Sequence, residues 1–405
     1  NNTTMTSEQT IRITATIESF DTALKWVLDA KPDTITVTID PETNTASLRH
    51  TSKMGSPVPG YHEHPITPET ITGDRKVSAH LADPNQLRQA LKLASFTAEM
   101  CTLSITLNGN EVREAVVTAG VHNTFRLSTS TLARNPRPVT ANVGSLPTYG
   151  LAQGIKVARS VNNGDDQNSL YVIFKLNDEN ELEVMASTSA GRVAVLMYKT
   201  PFTPPLVLDA HEASKMEIIK AGVSILPETK NFKGETVEVL VSEQYLGFRD
   251  SETGAIALYE NRNVPQQFIQ SFRTFILDKR GYEFEQNAEV DVANLKLALQ
   301  AMPSADKEAT ETSIIFDQSS NMQVKLGEWV VDLPVNDEGI TTPFTAKVQY
   351  VPLSLFATAH IAPKCTVSFL PEGKEGGERL LMTHSSSNEA STLFVVTSCS
   401  TVTTN

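Results

Sequence analysis

The sequence predicts an α+β protein built from three tandem, similar domains, each with two short helices laid on antiparallel sheets. Three observations lead there. Many short runs are rich in Val, Ile, Thr and Phe; six segments carry apolar residues at three- and four-residue spacing; and those six recur at an even rhythm. The predicted helices are 19–29, 84–95, 146–160, 210–222, 292–302 and 352–361. Their starts pair at separations of 65, 64 and 60 residues, one pair in each third of the chain. For 405 residues, at roughly 150 per domain, two or three domains are expected. A repeat near one third of the chain is too long for a solenoid and suits a domain.

In the first third, predicted strands 11–17 and 34–39 flank the first helix. Strands 103–107 and 114–119 follow the second, joined through the turn Asn108-Gly109-Asn110. Asp83 before Pro84 reads as an N-cap followed by proline at the first helical position. In the middle third, strands 170–176 and 182–186 follow the third helix and 237–241 follows the fourth, where Asp209 and Glu212 approximate a capping box. The last third holds strands 313–316, 329–333 and 393–397, with Pro352 suited to open the sixth helix. Boundaries fall near the Pro-rich stretch 134–139 and near 279–283, giving domains 8–138, 139–283 and 284–400.

Net charge is −13, from 34 Lys and Arg against 47 Asp and Glu, which taken whole argues against a nucleic-acid partner. Position changes that reading. The six helices together carry +4 while the remainder carries −17. Segment 84–95 holds Arg88 and Lys92 at i and i+4 with no acid, and 146–160 holds Lys156 and Arg159 on one face. Basic faces of this kind are ordinarily solvated surface; segregated from an acidic exterior, they could also hold a phosphate backbone.

No apolar run approaches the eighteen residues that span a bilayer. The first ten residues lack the basic and apolar regions of a secretory signal and read as a leader ahead of the first strand. Cys101, Cys365 and Cys399 are odd in number and lack metal-like spacing, so they read as free thiols in a cytoplasmic setting. No Gly-rich phosphate loop, nucleophile elbow or zinc-protease motif is present, so no enzyme activity, cofactor or metal is expected. His62-Glu63-His64 has metal-like spacing but no third ligand nearby and is followed by Pro65; it reads as a surface loop.

The order of segments resembles the bacterial sliding clamp, the β subunit of DNA polymerase III, over about residues 8 to 400. Segment 122–137 (HNTFRLSTSTLARNPR) is similar to a clamp segment in which an aromatic and a Leu flank a polar residue. Segment 165–195 (DDQNSLYVIFKLNDENELEVMASTSAGRVAV) resembles the family's strand, acidic turn, second strand and Ala-Thr-Asp-Gly-x-Arg-Leu-Ala. Here that motif stands as Ser187-Thr188-Ser189-Ala190-Gly191-Arg192-Val193-Ala194, which loses the Asp and shifts the Gly. Val264-Pro265-Gln266-Gln267-Phe268 sits where the family has Phe-Pro-Asp-Tyr, and Leu393-Phe394-Val395-Val396 is like the last clamp strand. The terminal Met-Pro-Met-Arg-Leu is replaced by Thr397-Ser398-Cys399-Ser400-Thr401.

The resemblance implies a non-catalytic head-to-tail homodimer, a ring of six domains that encircles duplex DNA and tethers the replicative polymerase. It places Lys25, Arg88, Lys92, Lys156, Arg159, Lys215, Lys220 and Lys296 on the DNA-facing lining, in salt-sensitive phosphate contact without base readout. Ring closure would set the edge strand with Phe125 and Leu127 against the partner's helix 292–302, with Leu299 and Met302. Polymerase and clamp-loader subunits would insert short hydrophobic peptides into a pocket formed by Leu170, Thr188, Ala190, Gly191, Arg192, Val193, Pro265, Val395 and Val396. The lost thioethers of the terminal motif imply a weaker or differently tuned pocket. Two alternatives stay open: a paralogous or phage-type clamp with altered partner recruitment, and a non-enzymatic β-rich binding protein.

Overall fold

The structure, a computed structural model, describes residues 7–51, 60–131, 137–161, 172–187, 194–204, 232–260, 286–302, 311–350, 353–354, 357, 362–369, 380–387, 391–398 and 400–402. The first repeat runs β1 (Gln9–Thr16), α1 (Ile17–Leu28), β2 (Ile35–Asp40), β3 (Thr45–Thr51), β4 (Gly60–Ile66), β5 (Thr70–Thr72), β6 (Val77–Leu81), α2 (Pro84–Ala94), β7 (Met100–Asn108), β8 (Glu111–Ala119), β9 (Asn123–Leu127) and β10 (Thr129–Ser130). The middle third holds β11 (Ala141–Pro147), α3 (Thr148–Val161), β12 (Ile173–Leu176), β13 (Glu181–Ser187), β14 (Ala194–Pro201), β15 (Thr236–Val241), β16 (Tyr245–Asp250) and β17 (Ile256–Glu260). The last third holds β18 (Gln286–Asp291), α4 (Val292–Ala301), β19 (Glu311–Phe316), β20 (Asn321–Leu326), β21 (Trp329–Asn336), β22 (Phe344–Gln349), β23 (Lys364–Phe369), β24 (Leu380–Ser387), β25 (Ser391–Ser398) and β26 (Ser400–Val402). The predicted helix 210–222 lies outside the described residues, as does most of 352–361.

The predicted repeat is realised down to single hydrogen bonds. In the first repeat the opening strand pairs with β7, and in the last its counterpart β18 pairs with β23. Thr16 caps α1 by accepting from Ser19 N–H at 3.1 Å, and Asp291 caps α4 by accepting from Asn294 N–H at 3.1 Å. The first helical N–H then crosses to the carbonyl before the facing strand: Ile17 to Glu99 at 2.8 Å, Val292 to Pro363 at 2.9 Å. Two of the cysteines occupy equivalent rungs, Cys101 opposite Ala15 and Cys365 opposite Val290. Both are free and buried, and burial pushes each thiol up to about 12, which leaves them unreactive small apolar side chains.

Helix α2 starts as its sequence dictates. The Asp83 side chain accepts from Asn85 N–H at 2.9 Å and Pro84 takes the first position, where a missing N–H costs nothing. Both α1 and α2 bury one apolar stripe in the core of the first repeat. Phe20 and Leu24 of α1 and Leu87 and Leu91 of α2 join Ile11 and Ile13 of β1 and Val37 of β2, all at 1 % exposure or less. Helix α3 rests on β13 and β14 through Gly154, where a Cβ would come to 3.0 Å from the Tyr198 ring and 3.1 Å from Val184.

Repeats are joined by strand edges. The fourth strand of the first repeat, β4, pairs with β17, the last strand of the middle third, in the register Glu63–Ile256 and Tyr61–Leu258. The corresponding strand of the middle third, β14, pairs with β25 in the register Leu196–Val395 and Val195–Val396. Each half of the middle third is therefore bonded to a different neighbour. The chain divides into two compact units along that line, residues 1–143 with 230–260 and residues 144–229 with 261–405.

The β4–β17 seam is buried and aromatic. Tyr61, Leu240, Ile256 and Leu258 form a small core of their own, and the Trp26 indole N–H of α1 donates to the Ile256 carbonyl at 3.0 Å. Trp26 also meets Phe232 and His64 edge-on, at centroid distances of 5.3 and 5.9 Å. His62-Glu63-His64, expected as a surface loop, is the middle of β4. The three residues are 4 %, 8 % and 9 % exposed because β17 covers an edge that the local sequence does not announce.

Candidate nucleic-acid interface

In the first unit the predicted lining residues converge. Helices α1 and α2 lie side by side, and the groove of about 770 Å³ along them is lined by Lys25, Arg88 and Lys92 together with Glu18, Asp21 and Glu99. The apolar stripes face the core, so the charged positions are left outward by helical periodicity. Lys25 Nζ lies 2.7 Å from Asp21 one turn away, and its hydrogen bond to that carboxylate raises its pKa. Its charge is partly committed within its own helix. Arg88 and Lys92 are exposed and form no salt bridge among the described residues, so they are the freer cations of this face.

In the second unit, α3 and α4 bring like charges together. Lys156 is exposed and Lys296 half-buried; burial first, and the Lys156 ammonium second, hold the Lys296 pKa below its ordinary value. Two cations from different thirds of the chain therefore lie near enough to repel one another. Arg159 lies on α3 three residues after Lys156, on the same helical face by backbone position. Lys215 and Lys220 lie outside the described residues.

Of the expected peptide pocket, Leu170, Thr188, Ala190, Gly191, Arg192, Val193 and Pro265 lie outside the described residues. The backbone at Val395 and Val396 is described: β25 runs beside β14, the strand that continues from 188–193. Of the segment standing in place of the terminal clamp motif, Thr397 and Ser398 end β25 and Ser400 and Thr401 belong to β26, which pairs with β22 in the register Ser400–Lys347 and Val402–Thr345.

The expected closure residues differ in how far their own chain buries them. Strand β9 is the outer edge of the sheet β5-β1-β7-β8-β9, with Phe125 half-buried on it. Leu127 is a core residue at 4 % exposure, and Leu299 and Met302 are buried at 2 % and 3 %. The period that makes these side chains apolar serves their own cores, and the Leu299 carbonyl is further occupied by the Tyr350 hydroxyl at 2.7 Å. What α4 exposes is Leu297, at 67 %. Sequence reasoning passed over Trp329 and Val330, which stand half exposed at the start of β21, and Leu93 and Phe96 at the end of α2. The unbroken apolar run Trp329-Val330-Val331 was the available signal, since a strand solvated on one face should alternate.

No group of three or more His, Cys, Asp or Glu side chains able to hold a metal ion occurs among the described residues. No helix among them is long and apolar enough to cross a membrane.

No family model matches the sequence, and no curated protein matches it. Solved structures do. The DNA polymerase sliding clamp from Bacillus subtilis is 14 % identical, with a TM-score of 0.68 over 98 % of this chain and all of that one. The sliding clamp from Pseudomonas aeruginosa is 12 % identical with a TM-score of 0.67, covering 96 % of this chain and 99 % of that one. A DNA polymerase III β subunit from Thermotoga maritima is 13 % identical with a TM-score of 0.62 over the same shares. The chain thus has the three-repeat α+β fold of the bacterial sliding clamp along nearly its whole length.

Proposed function

We propose that this protein is a DNA sliding clamp, a non-catalytic ring of two chains that encircles duplex DNA and tethers a polymerase. One observation carries the proposal: the rule by which repeats join inside the chain leaves two complementary open edges. Inside the chain, the fourth strand of one repeat pairs with the second strand of the next repeat's final hairpin, first β4 with β17 and then β14 with β25. Continuing the rule calls for β21 to pair with the second strand of the final hairpin of a further first repeat, which is β9 of another chain. Among the described residues β9 has no strand on its outer side, and 329–334 of β21 pair only with β20. Two copies satisfy both edges twice and close a ring, a heterologous contact that ends on itself.

Trp329 and Val330 supply the apolar anchor for that junction, and Phe125 belongs to the edge it meets. Bare sheet edges are otherwise an aggregation hazard, so a built-in partner also explains how this one is managed. The cations of α1 and α2 and of α3 and α4 support a phosphate-facing lining that carries no base readout.

A polymerase or loader would be engaged by a short hydrophobic peptide near β14 and β25. The use of the terminal segment as β26 supports a recruitment pocket of altered make. Encirclement is tested by loading the protein onto a nicked circular plasmid and linearising it. The clamp reading expects retention on the circle through a salt wash and loss from the linear form; equal retention on both would overturn it.

A further inference from the structure

The sheet face opposite α1 and α2 carries a second polar feature unconnected with the lining. On β2, β3 and β6 the side chains Val37, Leu48 and Ala79 enter the core, so their sequence neighbours point the other way. The register arranges those neighbours in rungs: Asp40 and Thr45; then Ser78, Thr38 and Ser47; then His80, Thr36, Arg49 and, on β4, Glu63; Lys76, just before β6, lines the same groove. Rungs follow at roughly 6.7 Å and strands at about 4.8 Å. The result is a hydroxyl floor with Lys76 at one end and Arg49 at the other, enclosing a groove of about 320 Å³.

The charges in the groove are unequal. Glu63, 8 % exposed, is answered by Arg137 at 3.0 Å and by the Ser47 hydroxyl at 3.2 Å. Asp40 accepts from the Glu42 backbone N–H at 3.1 Å. Arg49 and Lys76 have no salt bridge among the described residues, and the Arg49 Nε is buried without a hydrogen-bond partner. The guanidinium meets the Tyr61 hydroxyl, and its Nε alone is buried without an acceptor, which is unusual for a polar group out of water.

We propose that this groove is a binding site for a small ligand bearing a phosphate monoester. Arg49 and Lys76 would hold its oxygens; Thr38 and Ser78 share one hydrogen bond at 3.1 Å, which leaves one of the two hydroxyls free to donate to the ligand, while the Ser47 proton stays on Glu63. The hydroxyl floor favours a tetrahedral, multiply accepting oxyanion over a planar carboxylate. The volume stands near the lower bound for small-molecule sites, which limits the ligand to a phosphate with a short organic body. The site lies within the first unit and does not depend on ring formation.

The test is calorimetric titration of the full-length protein with glycerol 3-phosphate at constant ionic strength, with inorganic phosphate and sulfate as parallel probes. The expected result is one saturable site per chain, weakened about tenfold or more by Lys76→Gln and by Arg49→Gln. Lys92→Gln on α2 should leave it unchanged. Lys76 is exposed, so its variant carries the test if Arg49→Gln fails to fold. Three results would overturn the site: no saturable binding at millimolar probe, binding that survives both substitutions, or sulfate binding as well as the ester.

Discussion

Strands β4 and β21 occupy the same place in two repeats, and they differ in what lies beside them. On its second side β4 has β17, and Tyr61 is 1 % exposed; the first six residues of β21 have β20 on one side and no strand on the other among the described residues, and Trp329 is 49 % exposed. The difference shows that burial in this fold is completed by the neighbouring repeat and not by the repeat itself. One seam is closed within the chain and can be weakened only by damaging the fold. The other is open in the single chain, so its chemistry is separable from folding.

That contrast can be broken first at the closed seam. Leu258 is 1 % exposed between Tyr61 and Leu240, and Leu258→Ala should cost about 3 kcal/mol by urea unfolding with the assembled mass unchanged. At the open edge the signs reverse. Trp329→Asp should leave single-chain stability within about 0.5 kcal/mol yet weaken self-association on the order of a hundredfold, read by sedimentation. A large loss of fold stability from Trp329→Asp would erase the distinction between the two seams.

Acid sharpens it further. Burial, with His50 adding to it, pushes His62 down to about 4, below the 6.5 of a free imidazole. The unfolded chain therefore takes up a proton that the folded one refuses. The His62 contribution to stability is whole above pH 6.5 and falls as pH drops from 6.5 toward 4, by about 2 kcal/mol at pH 5. The urea midpoint of the native protein should decline more steeply over that range than that of His62→Gln.

The smallest effects belong to the lining. Arg88→Gln should lower the salt dependence of DNA binding by about one unit of log-log slope, with Lys92→Gln similar. Lys25→Gln should do less, because Asp21 already engages that ammonium.

What could be read from the sequence follows the range of the interaction concerned. Helices α1, α2 and α4 were legible to within two residues because caps and apolar spacing are local: Asp83-Pro84 names its own helix start. The repeat was legible because it is a rhythm. Strand β4 was not, since His62-Glu63-His64 carries no apolar signature and owes its burial to β17, far along the chain. At Leu127, Leu299 and Met302 the pattern reported apolar character correctly, but an apolar period does not distinguish a residue's own core from a surface meant for another chain. The basic residues of the helices were legible as outward-facing; that Lys156 and Lys296 repel one another depends on where the fold sets two distant helices, which no local pattern encodes.

Small-angle scattering with absolute mass, at low micromolar protein, tests the central claim most directly. Two open edges that complement each other predict twice the chain mass and the pair-distance profile of a hollow ring, both lost in Trp329→Asp. A native protein that stays at the mass of one chain, or doubles without a central void, would contradict ring closure through β9 and β21.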